Sequence, residues 1–126
     1  MSIDFESQAV RIFADAKEDM EAAECILELG KPRHAMFFAH LALEKALKAL
    51  VTRATHSTPP KVHDLRRLAK LAGLRIDQET EEFLGAMNYY QMASRYLEAR
   101  GHEIQAVTAH RHLQKAKEHF EWLTGQ

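Results

Sequence analysis

Arg95 and His102 have the residue types and spacing for chemistry on a phosphate group. They bracket segment 96–101, an Arg-x6-His pattern. An arginine holds a non-bridging phosphate oxygen through paired donors. A histidine titrates near neutral pH and can accept or deliver a proton. If His102 opens the last helix, the free backbone N–H groups there also favour phosphate and lower its pKa. The plainer alternative makes Arg100 and His102 a solvated helix start.

Two other constellations carry polar chemistry. Lys61, His63 and Asp64 precede an apolar helical pattern. Asp64 suits an N-cap and His63 a hydrogen bond across the fold. Lys61, Arg66 and Arg67 could instead form a basic patch for phosphate or nucleotide. Asn88, Tyr89, Tyr90 and Tyr96 cluster near Arg95, where rings can stack bases or fill a core or dimer seam. A metal site is not expected. None of the eight histidines has a glutamate three residues before it, and one cysteine cannot build a structural zinc site. No cofactor is implied.

These residues must be positioned by helices. Segment 35–50 has no glycine or proline and is filled with helix formers. Phe38, Leu41, Ala42, Ala49 and Leu50 line one side, and Met36, Leu43, Leu47 and Val51 another. A helix so widely apolar needs several neighbours to cover it. Glu44 and Lys48 stand in the favourable i,i+4 order. A first helix is predicted over 3–29, with Ser2 as N-cap and Gly30 as its stop. The second runs over 32–53 from Pro32, and the Thr-His-Ser-Thr-Pro-Pro run at 55–60 is a loop. A short helix with Leu65, Leu68 and Leu71 on one side ends at Gly73. Asp77 caps a fourth, with Phe83, Leu84, Met87 and Tyr90 on its apolar face and fraying between Gln91 and Arg95. The last spans 102–123, with Ile104, Val107, Leu113, Ala116, Phe120 and Leu123 at helical spacing.

With 126 residues, 46% hydrophobic and 28% charged, the chain reads as one soluble domain. A net charge of −1 gives no general electrostatic case for nucleic acid, so any RNA contact must be a local patch. Cys25, among Ala22, Ala23, Ile26 and Leu29, reads as a small buried filler. A lone cysteine, no leader and no membrane-length apolar run predict a cytoplasmic protein.

Three segments in this order resemble the HEPN domain family of small prokaryotic helical proteins. They are Glu44-Lys45-Ala46-Leu47-Lys48-Ala49, Lys61-Val62-His63-Asp64-Leu65, and Arg95-Tyr96 after Asn88-Tyr89-Tyr90. The resemblance runs over roughly 5–122. It implies an all-α, antiparallel up-and-down four-helix bundle with one additional short helix. It also implies metal-independent ribonuclease chemistry at Arg95 and His102, with Tyr96, Arg100, Asn88, Lys61 and His63 as substrate contacts. By the same resemblance the chain is the toxin-like member of a pair with a nucleotidyltransferase antitoxin, and a homodimer that brings two Arg/His motifs to a shared cleft. A non-catalytic module that docks a nucleotidyltransferase, or binds nucleotide or nucleic acid, is the alternative. It is favoured by Tyr96, where active members often carry a small polar residue, and by Ile104, where some carry a modified tyrosine. Physics adds its own case for a dimer, since the encircled apolar helix and extra aromatics predict surface to cover.

Overall fold

The computed structural model describes residues 4–95 and 104–126. Within them lie five helices: α1 (Phe5–Glu28), α2 (Pro32–Thr55), α3 (Leu65–Leu71), α4 (Gln78–Arg95) and α5 (Ala106–Thr124). No strand occurs among the described residues, and no described helix is long and apolar enough to cross a membrane. The fold is the all-α bundle expected, with the short α3 bridging α2 and α4.

Punctuation in the sequence sets most of these bounds. Asp4, not Ser2, caps α1: its Oδ1 accepts the Ser7 N–H at 3.1 Å, while Ser2 lies outside the described residues. Gly30, at φ 78°, takes the left-handed conformation that closes α1, and Pro32 starts α2. α2 runs two residues past the expected Arg53 and is capped by His56 in the left-handed region. Asp64 caps α3 by accepting the Arg66 N–H at 3.0 Å, and Asp77 caps α4 by accepting the Thr80 N–H at 2.8 Å.

The core is organised around α2, which α1, α3, α4 and α5 all touch. Ala35, Ala39, Ala42, Ala46 and Ala49 are fully buried and let neighbouring helices approach closely. Met36, Leu43 and Leu47 fill the space between, each worth about 1.5–3 kcal/mol in burial. α4 adds Phe83, Leu84, Met87 and Tyr90, and α5 adds Leu113, Phe120 and Leu123. The His119 ring stacks on Phe83 with centroids 4.6 Å apart, tying α5 to α4.

Three expectations are corrected. Cys25 is exposed, because α1 buries Ala16, Met20, Ala23 and Leu27; Cys25, two residues from both Ala23 and Leu27, turns away from that stripe. Leu71 is also exposed; α3 buries Leu65, Leu68 and Ala69 instead. α4 ends at Arg95, within the 91–95 window expected for its end. α5 begins at Ala106, because Ile104 and Gln105 are not helical, and Val107 is exposed.

Candidate functional site

Arg95 is the last residue of α4, so the connection that follows carries the rest of the Arg-x6-His pattern. Tyr96, Arg100 and His102 lie outside the described residues, as does the Arg95 side chain. The later start of α5 matters here. Its N-terminal N–H groups sit at Ala106, beyond a Gln105 that makes no side-chain cap, and not at His102. Phosphate binding by a helix end at His102, and a pKa lowered by that end, are therefore not supported.

Beside α4 the structure gathers a polar network from α2, the start of α3 and α4. Glu44, only 5% exposed, accepts from Lys48 Nζ at 3.2 Å, the pair its spacing predicts. Its other oxygen lies 3.0 Å from Nδ1 of His63, whose side chain is half exposed. A carboxylate accepts only, so His63 donates through Nδ1–H. Asn88 uses both ends of its amide: Oδ1 accepts the Leu65 N–H at 2.9 Å and Nδ2 donates to Asp64 at 2.8 Å. Asn88 thus fastens the start of α3 to α4.

Sequence reasoning missed His40, one turn before Glu44 on α2. Its ring is buried, and Nε2 has no hydrogen-bond partner among the described residues. Burial holds its pKa below the ordinary histidine value, while the Glu44 carboxylate pulls the other way. The available signal was two polar side chains four apart inside an otherwise apolar helix. His63 bonds across the bundle and Asp64 caps α3, as the plain reading of those residues expects. Lys61, Arg66 and Arg67 are exposed.

The aromatic cluster divides. Tyr90 is core, and burial pushes its pKa up to about 12. It therefore stays protonated and donates to His112 Nδ1 at 2.5 Å. Burial, with Arg111 and Lys115, keeps His112 below the usual value, which fits a neutral acceptor. Tyr89 is exposed and meets Tyr90 edge-on. Among the described residues no group of three or more His, Cys, Asp or Glu could hold a metal ion.

A helical bundle with a short cross-bridging helix and a polar junction on α4 describes the class. A family model of the HEPN domain matches residues 9–126, nearly the whole sequence. The chain belongs to the HEPN domain family. No curated protein and no solved structure matches it.

Proposed function

We propose that this HEPN protein is a metal-independent endoribonuclease, the toxin-like member of a pair with a nucleotidyltransferase antitoxin, acting as a homodimer. One observation carries the reading: the family match spans both motif residues, and Arg95 stands at the end of α4 where the connection holding His102 begins. In the reaction the substrate's 2′-hydroxyl attacks the adjacent phosphorus and the P–O5′ bond breaks. A base removes the 2′-hydroxyl proton and an acid protonates the leaving O5′. His102 supplies proton transfer and Arg95 steadies the phosphate charge. The products are a 2′,3′-cyclic phosphate and a 5′-hydroxyl.

The purified protein should cut single-stranded RNA in EDTA and leave 2′,3′-cyclic ends. His102→Ala should abolish cutting with the fold intact. Arg95→Lys should lose most of it, because a point charge does not reproduce the paired donors. Wild-type protein as inert as both variants on varied RNAs would overturn the catalytic reading. The start of α5 at Ala106, which takes the helix end away from His102, favours the second reading. In it the chain is a non-catalytic module docking the nucleotidyltransferase.

A further inference from the structure

The charge of this chain is unevenly distributed. Segment 61–76 carries five Lys and Arg against one acid, Asp64, while the rest carries twelve against seventeen. Asp64 is already engaged by the α3 cap and Asn88. Among the described residues Arg66, Lys70 and Arg75 make no ion pair, whereas Lys45, Lys48, Arg53, Lys115 and Lys117 do. All three are exposed, and all three line one groove of about 400 Å³. Its floor is apolar, with Leu74 and Ile76, and its one acid is Glu81.

Gly85 adds a separate observation. It lies inside α4, where glycine costs stability relative to alanine, and no left-handed backbone requires it. A Cβ there would stand 3.1 Å from Cζ of Arg66 and 3.2 Å from its Nε. The glycine makes room for the guanidinium to lie against α4. Arg66 and Arg75 offer planar forks suited to phosphate oxygens.

The groove is also placed for the proposed reaction. From Glu81, the α4 residue that lines the groove, to Arg95 is fourteen residues, about 21 Å at the helical rise. α3 meets α4 at Asn88, between those two points. A single strand a few nucleotides long reaches from the groove to the end of α4.

We propose that the Arg66–Lys70–Arg75 groove is a phosphate track for single-stranded RNA, holding the strand's backbone on a course along α4 toward its Arg95 end. This rests on the RNA reading above but not on cleavage. Specificity at the track is for the phosphodiester backbone, not for base sequence.

The test uses the full chain and a single-stranded 2′-O-methyl oligoribonucleotide, which lacks the attacking hydroxyl and is not cut. Binding is followed by fluorescence anisotropy over a salt series. Arg66→Gln/Lys70→Gln/Arg75→Gln should weaken binding about tenfold or more at low salt. It should also flatten the slope of log K against log salt by about 2, since three phosphates are no longer neutralised and each accounts for about 0.7. Melting by circular dichroism checks the fold. If Arg66→Gln disturbs it, Lys70→Gln/Arg75→Gln should still flatten the slope by about 1.4. Unchanged affinity and slope, or no RNA binding by the wild type, overturns the proposal. So does binding of a glutamate-rich peptide that the variant loses while RNA binding stays, for the surface then takes an acidic protein. Intact RNA binding without cleavage would count against the ribonuclease reading alone.

Discussion

Asn88 is a candidate RNA contact from its place near Arg95, yet its amide is spent inside the protein, and Asn88→Ala separates the two roles. The substitution removes the bonds to the Leu65 N–H and to Asp64. Each is worth about 1 kcal/mol net. It also leaves the N–H of Leu65, a fully buried residue, without its acceptor, at about 1–3 kcal/mol on the bond's own loss. Because these quantities overlap, the expected destabilisation is about 2–4 kcal/mol. For a chain of this size that is a fall in Tm on the order of 10 °C. Urea unfolding by circular dichroism, without RNA, measures it. Asn88→Asp keeps an acceptor but turns the donor into an oxygen facing Asp64, so it should rescue little. In a double-mutant cycle with Asp64→Ala the pair should couple by about 1 kcal/mol. Asn88→Ala within about 0.5 kcal/mol of wild type would refute the tie between α3 and α4.

Two further outcomes follow from the packing and from the buried histidines. Gly85→Ala should stabilise the protein by about 0.5–1 kcal/mol in urea unfolding, because the exposed end of Arg66 can shift the few tenths of an ångström that a Cβ requires; a loss of stability would show that Arg66 cannot move. Burial lowers the pKa of His40, His112 and His119 from 6.5, so below that value the unfolded chain binds more protons than the folded one. Their contribution is full above pH 6.5 and is lost as pH falls toward the folded values, so Tm should drop between pH 7.5 and pH 5, less so in His40→Gln. The lowered pKa values of Asp4 and Asp77 act only near and below 3.8, outside that window. A flat Tm across it would show that burial of these rings does not govern the acid limb of stability.

What was legible in the sequence is what short-range chemistry specifies. Gly30 and Pro32 mark the α1–α2 turn, Asp64 and Asp77 announce their helices, and the alternation of apolar residues along α4 and α5 gives the core. The start of α5 was not legible because Gln105 gives no capping signal, whereas Gly101 gives a strong breaker signal before it. Cys25 was misplaced because α1 offers apolar residues on more than one stripe, and only packing against α2 decides which is buried. The polar network was only half visible. Glu44 and Lys48 are one helical turn apart, but His63 lies 19 residues from Glu44 and Asn88 lies 23 from Leu65, pairings that no local period encodes.

The central helix changes the case for a dimer. Its wide apolar circumference predicted surface left over for a second copy, but α1, α3, α4 and α5 cover most of it within one chain. Most of α2 from Ala35 to Thr52 is buried, and Phe37, Phe38 and Leu41 are the apolar residues of that stretch left partly exposed. Apolar surface remains elsewhere, notably Leu29 at 74% exposed and Val107 at 68%. Leu29 closes α1 just before the turn into α2, and Val107 is in the first turn of α5. α4 and α5 run antiparallel, with Phe83 against His119 and Tyr90 against His112, so the start of α5 lies at the Arg95 end of α4. α4 also opposes α2, since Leu47 shares a cavity with Thr80 and Leu84 while Asn88 acts on His40 farther along. The turn at Leu29 therefore lies at that same end of the bundle. A homodimer that shares a cleft between two Arg95 and His102 motifs needs its apolar contacts there. Leu29→Glu/Val107→Glu should then lower the mass read by light scattering from twice 14.4 kDa to the single-chain value. A dimer that survives both charges must use another surface, and the shared cleft would lose its physical support.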